Sequence, residues 1–578
     1  MTSPLRAYLN LLQEKGELKI IEAQVDPTLE LAEIHRQVSE KKGPALLFTN
    51  VKGSQFSVCT NLFGSVRRLE LAFPKKPSQF IQELIGLLED GFSLKSFWQK
   101  KRHLVKLFHL GCKTQKSSPL FEKTLSNLEE LPFIKCWPKD GGHFLTLPLV
   151  YTESPQDHKS NLGIYRIQRY DGGRCGLHFQ IGKGGYFHYS QAEALNTPLP
   201  VTIFLGGHPA LTIAAIAPLP ENISELFFAS LLMDEKVPII AHEPHPLLAE
   251  AECAIIGHAN PKERALEGPF GDHLGTYGKA HNFPFLHVDK ILARHDAIIP
   301  ATVVGRPFEE DHIIGNWLQE LFSPVLKFTT PALKNIWSYG EAGFHAACAI
   351  QVKERYEKEA LGTAFSILGQ GQLALTKILF VTDAPCDLKD FKATLAAILS
   401  RCKPETDLLI FSHTSNDTLD YSGPALNKGS KAILFGLGSE KRKLPQEFTG
   451  PLPFYLSKAR PFCPGCLIIQ GPDWEDLQEP TTILASTALA NWPLLVLVDD
   501  IKKPPETQEE FLFQVFTRFE PAQDIYSKTK TIVRNQLSMT FPILIDARTK
   551  PTFPEIVAPD PEIQKQVQEK WSHYYNLQ

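Results

Sequence analysis

The central part of the chain, from about residue 131 to residue 300, consists of short β-rich runs separated by glycine turns. Residues 145–150, 202–205 and 214–217 are three such runs. Short strands that alternate with turn residues at regular intervals are typical of all-β sheets and barrels. This pattern constrains the fold more than any other feature of the sequence, and it predicts an antiparallel β-barrel in the centre of the chain.

The sequence on either side of this barrel has a different pattern, in which predicted helices alternate with short apolar stretches or strands. Residues 1–110 alternate helical and short apolar stretches, and residues 110–130 are polar and rich in lysine and serine, which is typical of a linker or an insert. Further on, a strand at 378–381, a helix at 388–400 and a strand at 408–411 predict an α/β arrangement.

A chain of 578 residues is too long for one hydrophobic core, so we expect about two to four domains. We predict a multidomain α+β and α/β protein with an N-terminal α/β domain at 1–110, the barrel domain at 131–300, a C-terminal α/β domain at 301–440 and a C-terminal extension at 441–578. The extension is predicted to be folded, because the apolar run 494–498 leads into Asp499, much as residues 378–381 lead into Asp383. The sequence shows no clear internal repeat.

Composition excludes several classes of protein. Hydrophobic residues make up 43% of the chain and charged residues 21%, which is typical of globular proteins and not of disordered ones. The formal net charge of −4 gives no field that would attract nucleic acid. A basic cluster at 95–106 is interleaved with aromatic residues, and it favours an amphipathic helix with a solvated basic face over an RNA-binding surface.

The sequence gives no sign of membrane insertion or secretion. Its longest apolar runs have the length of strands, whereas a membrane-spanning helix needs about 18–20 apolar residues. Ser3 and Pro4 resemble the cap and first residue of a folded helix rather than the start of a signal peptide. Among ten cysteines only Cys463 and Cys466 are close together, and two reduced cysteines in a turn are favoured over a zinc site or a redox pair. We therefore expect a cytoplasmic protein.

The hexapeptide Glu267-Gly-Pro-Phe-Gly-Asp272 places two carboxylates on either side of a turn. Pro269 favours a turn and the glycines can take positive φ, so we expect the two carboxylates to approach each other. Two neighbouring carboxylates do not both ionise easily, so the pKa of one should rise. A neutral carboxyl group is what a proton donor requires. A surface turn with two solvated acids is the alternative that the hexapeptide leaves open.

A second segment, Asn161-Leu-Gly-Ile-Tyr-Arg166, supplies an amide and a guanidinium in the same region of the chain. An arginine and a pair of acids suit a site that holds a carboxylate substrate and delivers a proton to it.

These two segments, together with other blocks in the same order, resemble the UbiD family of decarboxylases, which use prenylated FMN. The resemblance covers roughly residues 5 to 440. The other blocks are residues 11–18, Gly43-Pro-Ala-Leu-Leu-Phe48, Asn61-Leu-Phe-Gly64, Gly184-Gly185, Gly207-His-Pro-Ala-Leu-Thr212, residues 218–225 and Gly305-Arg-Pro307. The resemblance implies a split barrel like that of flavin reductases for the central domain.

The resemblance also implies the roles of individual residues. Arg166, Glu267 and Asp272 match the catalytic trio: Arg166 would orient the substrate carboxylate and hold Glu267, and Asp272 would deliver a proton after CO₂ leaves. The residues that match the family's flavin contacts are Ile164, Tyr165, Arg166, His178, Phe179, Gln180, Lys183 and Gly184. Lys431 resembles a lysine that approaches the flavin phosphate, and a solvated loop lysine is the alternative.

Asn161 and Glu225 match the family's ligands for a divalent metal that bridges to the flavin phosphate. Oxygen ligands suit Mn²⁺ or Mg²⁺, and K⁺ is a further candidate ion. Many relatives carry a histidine where this chain has Gly182. The metal shell is therefore expected to be thinner here, unless His178 compensates.

The reaction implied by the resemblance is non-oxidative decarboxylation of an aromatic carboxylic acid. The long extension is similar to members assigned to menaquinone synthesis by the futalosine route, which implies a bicyclic naphthoate substrate. The alternatives are a polyprenyl-4-hydroxybenzoate decarboxylase of ubiquinone synthesis, a flavin reductase or carrier without decarboxylase activity, and a catalytically altered paralogue. A flavin prenyltransferase would supply the cofactor, and a homo-oligomer between dimer and hexamer is expected.

Overall fold

The structure is a computed structural model of the chain, and it describes residues 4–73, 110–219, 223–306, 309–499 and 505–574. The basic cluster at 95–106, and with it the predicted amphipathic helix, lies outside the described residues. The chain divides into two compact units: one comprises Met1–Leu321 with Glu555–Gln578, and the other comprises Phe322–Pro554. The finer division into four domains stays a prediction.

The centre of the first unit is a curled, nine-stranded sheet with antiparallel pairing throughout. Its strands run in the order Phe144–Leu145, Ile167–Arg169, Arg174–Leu177, Phe285–Ala293, Cys253–Ala259, Leu199–Leu205, Leu149–Glu153 and Ser160–Gly163, and Lys123–Leu125 pairs with Phe285–Ala293 as the ninth. The predicted antiparallel β centre is confirmed as a half-barrel. Its closer likeness to the split barrel of flavin reductases stays a prediction.

The half-barrel encloses an apolar core. Leu199, Val201, Ile203 and Leu205 alternate along one strand, and all four are buried in the same cluster. Side chains two residues apart lie on the same face of a strand, so this alternation aims one face of the sheet at the core.

Smaller elements surround the half-barrel in the first unit. A mixed sheet has the order Leu18–Ile21, Ala45–Phe48, Ser57–Thr60 and Ile298–Pro300. Other strand groups are Leu247–Leu248 with Val237–Ile240 and Cys112–Gln115, Ala265–Glu267 with His281–Phe283, and Phe270–Gly271 with Tyr277–Gly278. The helices are Pro4–Glu14, Glu30–Glu40, Val66–Leu71, Gly184–Leu195, Pro209–Ile216, Glu225–Met233, Pro561–Glu569, Trp571–Tyr574 and Glu310–Thr329, within which the boundary between the units falls. The first helix begins at Pro4, as its sequence predicts.

Two predictions for this unit are wrong. The apolar run at 214–217 predicts a strand, but most of it forms the end of the helix Pro209–Ile216. The ring of His208 accepts a hydrogen bond from the first turn of that helix, and this cap with a proline at the first position outweighs the apolar run. The segment 110–130 is not a linker, because two of its strands pair with Val237–Ile240 and Phe285–Ala293.

The second unit contains two five-stranded sheets with the same strand order and the same strand directions. The first sheet runs Leu333–Ser338, Ala347–Val352, Ile378–Thr382, Lys428–Gly436 and Leu408–Ser415. The second runs Lys458–Cys463, Cys466–Gly471, Leu494–Asp499, Ile543–Asp546 and Ile525–Ser527. The unit therefore contains two copies of an internal repeat, whereas the sequence showed no clear repeat.

Individual hydrogen bonds are repeated as well. Asp383 and Asp499 lie at the carboxyl end of the central strand of each sheet, and each accepts a backbone N–H from just beyond the neighbouring parallel strand. The one-turn helices Pro404–Asp407 and Pro521–Asp524 each end in an aspartate that accepts the backbone N–H four residues earlier. Repeated capping contacts of this kind indicate two copies of one fold.

The two copies share one apolar core. The helix Phe391–Arg401 belongs to the first copy and Gln508–Phe516 to the second, and the N–H of Phe391 donates to the side chain of Gln508 at 2.8 Å. The rings of Phe462 and Phe511 stack with centroids 3.6 Å apart. The predicted folded extension is thus confirmed, and its first part is the second copy.

The remaining elements of the second unit connect these sheets. They are the helix Glu359–Leu368, the 3₁₀ turns Gly340–Ala342, Gly371–Leu375 and Pro480–Ala485, and the hairpin Lys530–Val533 with Gln536–Met539. Cys463 and Cys466 are buried and lie in the turn between two strands, as the sequence predicts. Over the whole set of described residues, no helix is both long and apolar enough to span a bilayer.

Candidate active site

The hexapeptide 267–272 forms a turn whose two glycines are fixed by neighbouring side chains. Gly268 has a φ of 90°, a conformation that L side chains rarely adopt. Its N–H donates to Gln168 Oε1, and the N–H of Gly271 donates to Asp140 Oδ1, both at 2.8 Å. The turn therefore holds a defined shape, which excludes the solvated surface turn that the hexapeptide alone leaves open.

The guanidinium of Arg166 lies between the two carboxylates of the hexapeptide. Its Nε and Nη2 donate to Oε1 and Oε2 of Glu267 at 2.7 and 2.9 Å, and its Nη1 donates to Oδ2 of Asp272 at 2.5 Å. The side chain of Glu267 is fully buried, and those of Arg166 and Asp272 are 7% and 14% exposed. The structure thus brings together the three residues that the sequence predicts as a trio.

The predicted pKa shift of this pair of acids is wrong in direction. Burial alone would raise the pKa of Glu267, but Arg166 and His178 lower it well below its usual range. Burial would likewise raise the pKa of Asp272, but His273 and Arg166 lower it. The inserted guanidinium separates the two acids and favours the ionised form of both, so neither is favoured as a neutral proton donor.

A histidine lies at each end of this group. His178 Nδ1 lies 3.0 Å from Glu267 Oε2, and His273 Nδ1 lies 2.8 Å from Asp272 Oδ1. The row is therefore His178, Glu267, Arg166, Asp272 and His273, with each carboxylate between a guanidinium and an imidazole. The sequence analysis selects four of these residues and misses His273. The one signal in the sequence was its position directly after Asp272.

Two aromatic residues border the row. The ring of Phe270 lies under the guanidinium of Arg166, 4.6 Å from the guanidinium carbon to the ring centroid, which favours the cation. Burial and the charge of Glu267 raise the pKa of Tyr170, whose buried hydroxyl has no partner among the described atoms.

The predicted metal ligands lie next to each other. The N–H of Leu162, which follows Asn161, donates to Glu225 Oε2 at 3.1 Å. The amide nitrogen of Asn161 is buried without a partner among the described atoms, and because amide nitrogen and oxygen can exchange places, the amide can present either atom. Burial raises the pKa of Glu225, because it disfavours the charged carboxylate. A bound cation would favour the charged form again. An amide oxygen and a carboxylate are hard ligands that fit Mn²⁺ or Mg²⁺.

A Cβ placed on Gly184 would lie 2.0 Å from Oδ1 of Asn161. The start of the helix Gly184–Leu195 therefore approaches the predicted metal ligands as closely as a glycine allows. Lys183 caps this helix through its backbone only, and Tyr165 accepts the N–H of Gly185 through its hydroxyl at 2.9 Å. Backbone N–H groups at a helix start bind phosphate readily, so this end of the site suits a phosphate with a bridging cation.

The other predicted flavin contacts lie on loops at the ends of strands in the same unit. Ile164–Arg166 joins the strands Ser160–Gly163 and Ile167–Arg169, and residues 178–180 follow the strand Arg174–Leu177. His178 and Phe179 are buried, whereas Ile164 and Gln180 are half-buried. Whether these residues contact a flavin stays a prediction.

Lys431 lies in the second unit, in the strand Lys428–Gly436. It is buried, its Nζ donates to the carbonyl of Thr376 at 2.9 Å, and burial lowers its pKa to about 8. The alternative of a solvated loop lysine is therefore wrong. Its predicted approach to the flavin phosphate stays a prediction.

An arginine between two buried carboxylates, with an imidazole beside each, is an arrangement that can bind a carboxylate and move a proton. Three family models match the chain in sequence order. They are described as the N-terminal domain, the Rift-related domain and the C-terminal domain of 3-octaprenyl-4-hydroxybenzoate carboxy-lyase, and they match residues 9–88, 112–307 and 312–435.

Similar proteins extend this match over the whole chain. An uncharacterized protein of Chlamydia muridarum is 46% identical over 99% of this chain and 100% of its own length. A protein of Chlamydia pneumoniae that is named as a component of 4-hydroxybenzoate decarboxylase is 45% identical over 99% of this chain and 98% of its own length. Among solved structures, vanillic acid decarboxylase of Sedimentibacter hydroxybenzoicus is 26% identical, with a TM-score of 0.66 over 78% of this chain and 96% of that one.

The chain belongs to the UbiD family, and it is a carboxy-lyase of that family. The predicted recognition and enzyme class are confirmed, and the alternative of a flavin reductase or carrier is not favoured. The matched models end at residue 435, so the second copy of the repeat lies beyond them.

Proposed function

We propose that this protein decarboxylates an aromatic carboxylic acid with prenylated FMN, and that Arg166, Glu267 and Asp272 carry the reaction. The observation that supports this most is the buried guanidinium of Arg166 between two ionised acids. The name of the relative from Chlamydia pneumoniae, a component of 4-hydroxybenzoate decarboxylase, supports the aromatic acid. The vanillic acid decarboxylase of similar fold supports it independently.

Arg166 is the residue that binds the substrate carboxylate. Glu267 occupies its Nε and Nη2, so the guanidinium is fixed in one orientation and its Nη1 edge faces Asp272. The pair also keeps one buried positive charge compensated when no substrate is bound. A carboxylate that binds at the Nη1 edge therefore lies next to Asp272.

Loss of CO₂ from a carboxylate leaves an electron pair on carbon, and that carbon must take up one proton. When bound, the prenylated flavin supplies the electron sink that an aromatic ring lacks. Asp272 delivers the proton, and a positioned acid of this kind typically contributes about 10²–10⁴-fold in rate. Arg166 and His178 both favour the charged form of Glu267, so Glu267 stays ionised while Asp272 changes its protonation state.

Asn161 and Glu225 would hold a divalent cation, Mn²⁺ or Mg²⁺, between the protein and the flavin phosphate. Ile164, Tyr165, His178, Phe179, Gln180, Lys183 and Gly184 would line the flavin, and Lys431 would approach its phosphate. The support is the close approach of Gly184 to Asn161 together with the helix start at that point. The half-barrel would then act as the flavin-binding barrel that the resemblance implies.

The cofactor is tested by expressing the protein with and without a flavin prenyltransferase, the partner that we propose as its supplier. Mass spectrometry of the released cofactor should give prenylated FMN only in the first case. A tightly bound nicotinamide or haem instead would contradict the proposal. Gel filtration with light scattering of the same preparation tests the proposed homo-oligomer of two to six chains.

For the substrate we propose a bicyclic naphthoate of menaquinone synthesis. The support is the long folded extension, which the relatives from Chlamydia share because they match 99% of the chain. The second candidate is a hydroxybenzoate, and the name of one of those relatives favours it. A site that pairs with a ring hydroxyl rejects an analogue without it far more strongly than an apolar pocket rejects a missing methylene.

The two candidates are separated by offering the loaded enzyme a dihydroxynaphthoate, a prenylated hydroxybenzoate and 4-hydroxybenzoate in parallel. Release of CO₂ is measured for each. Preference for the naphthoate would support the menaquinone proposal. Preference for either hydroxybenzoate would contradict it and leave the decarboxylase proposal standing. Localisation of a tagged chain by fractionation would test the proposed cytoplasmic location.

A further inference from the structure

Both oxygens of the Asp272 carboxylate accept hydrogen bonds from donors that hold it as an anion. Oδ2 accepts from Arg166 Nη1, and Oδ1 accepts from the backbone N–H of His273 at 2.8 Å. The ring Nδ1 of His273 also lies 2.8 Å from Oδ1, and it donates to Oδ1 when it carries a proton. A carboxylate in this state has no proton to give. Since each decarboxylation consumes one proton, a proton must reach Asp272 from outside at every turnover.

Only one of these three donors can supply that proton. Arginine does not lose its proton in proteins, and a backbone amide does not act as an acid at ordinary pH. An imidazole ring, unlike these two groups, can take up and release a proton near neutral pH. The Nδ1 of His273 already faces Oδ1 at hydrogen-bond distance, so a transfer between these two atoms needs no rearrangement of the chain.

The surroundings of His273 suit this transfer. The side chain of His273 is 29% exposed and that of Asp272 is 14% exposed. The ring is therefore more accessible to solvent than the carboxylate is. The turn is fixed, because the N–H of Asp272 donates to the carbonyl of Thr276 and the N–H of Gly275 donates to the carbonyl of Asp272. His273 is therefore held in the contact that it makes with Asp272.

Charged groups approach His273 from more than one element. Asp272 and, behind it, Arg166 lie on one side. Asp311, in the first turn of the helix Glu310–Thr329, interacts with the His273 charge, and its own Oδ1 is buried without a partner among the described atoms. The side chain of Arg306 lies against Gly275 of the same turn. The carboxylate of Asp272, which is in direct contact with the ring, favours its protonated form.

We propose that His273 is the proton relay that reloads Asp272 from solvent. This inference rests on the decarboxylase mechanism proposed above. In the relay step, the Nδ1–H bond of the His273 imidazolium breaks and an O–H bond forms on Asp272 Oδ1. Asp272 then passes this proton to the substrate carbon that has lost CO₂. The neutral ring takes one proton back from solvent, so each turnover consumes one solvent proton.

The relay is tested with His273→Asn in the full chain loaded with prenylated FMN. Asparagine can donate a hydrogen bond to Asp272, but it cannot carry a proton. We expect kcat to fall about 100-fold with KM changed no more than about threefold, because substrate binding at Arg166 is untouched. Wild type should lose activity at high pH, where the His273 imidazolium is no longer formed, and this loss should be absent from the pH profile of the variant. Added imidazole should restore part of the variant's kcat. His258→Asn is the matched control, since His258 also faces an aspartate, Asp289, at 3.0 Å, and it should behave as wild type.

A second readout does not depend on activity. In the flavin-free chain, the His273 ring is titrated by NMR in wild type and in Asp272→Asn, and its midpoint should move to lower pH in the variant, because a carboxylate 2.8 Å away favours the imidazolium. An unchanged midpoint would overturn the coupling. A fall in kcat without any change in the pH profile and without imidazole rescue would overturn the relay in favour of a structural role. If loaded wild type releases no CO₂, the proposed function fails, while the titration still reports on the pair.

Discussion

Glu267 and Asp272 bind the same guanidinium from different sides, and neither reaches the other directly. Arg166 gives two of its N–H groups to Glu267 and a third to Asp272. The two acids therefore have different tasks, although they lie five positions apart in one turn. Glu267 fixes the arginine, and Asp272 handles the proton.

We predict that Asp272→Asn and Glu267→Gln each lower the decarboxylation rate by at least about 100-fold. Both variants should retain the flavin, because neither residue lies among the predicted phosphate and metal contacts. Glu267→Gln should in addition destabilise the fold by about 3–5 kcal/mol, since it leaves the buried Arg166 without its principal partner. Steady-state CO₂ release and thermal unfolding measure the two effects. Turnover like that of wild type in either variant would remove that residue from the mechanism.

The close approach of Gly184 to Asn161 gives a prediction about the cofactor site. In Gly184→Ala the added methyl group would lie 2.0 Å from Asn161 Oδ1, so Asn161 must move and the metal site must change. We expect Mn²⁺ affinity to fall about 10–100-fold, as for loss of a residue that supports a metal ligand. Gly173→Ala is the control, because the atom nearest to its added Cβ is 3.9 Å away. Calorimetric titration with Mn²⁺ and FMN distinguishes the two variants.

The resemblance implies a histidine at the position of Gly182 in many relatives, and we predict weaker metal binding here than in those relatives. A Cβ at this position meets no atom within 4 Å, so a side chain has room, but the φ of 74° disfavours any L residue by about 1–2 kcal/mol. Gly182→His should therefore tighten Mn²⁺ binding by no more than about tenfold. Gly182→Asn, which tolerates this conformation better, controls for strain. Wild-type affinity equal to that of the relatives with histidine would contradict the argument.

Asp311 predicts a pH dependence of stability. Burial raises its pKa to about 7, so the folded state holds the proton more tightly than the unfolded chain, whose carboxyl has a pKa near 3.8. The stability that this group contributes is fully present below the unfolded pKa, and it is lost as pH rises through about 7. Each pKa unit corresponds to about 1.4 kcal/mol, so the full loss should be about 4 kcal/mol, of which about 3 kcal/mol falls above pH 5.

Urea unfolding between pH 5 and pH 8 measures this loss. The decline in free energy of unfolding should be smaller in Asp311→Asn than in wild type, because the amide does not titrate. Asp289→Asn is the control, since the side chain of Asp289 is 56% exposed. An identical decline in wild type and Asp311→Asn would show that another group is responsible.

Much of this site could be predicted from local motifs. The hexapeptide and the segment 161–166 each keep their residues within a few positions, and the resemblance aligned both. The direction of the pKa shifts could not be predicted, because the contact of Arg166 with Glu267 joins residues 101 positions apart. A pattern that shows two acids near each other does not show which cation a distant loop places between them.

The fold divides in the same way. Short β-rich runs separated by glycine turns predicted the antiparallel centre, because this spacing is typical of sheets built from short neighbouring strands. The end of the helix Pro209–Ile216 was predicted as a strand, because a short apolar run fits a buried helix as well as a strand. The repeat in the second unit could not be predicted from the sequence. Its copies share strand order and capping bonds, such as those of Asp383 and Asp499, and these features become visible only in the structure.

Decarboxylation in D₂O tests the central claim most directly. Loaded enzyme is given the aromatic acid that it prefers, and CO₂ release and deuterium in the product are measured together. The proposed mechanism predicts one deuterium per CO₂, at the ring carbon that carried the carboxylate, with both quantities lost in Asp272→Asn. No CO₂ release from any aromatic acid by a chain shown to contain prenylated FMN, or full activity in Asp272→Asn, would contradict it.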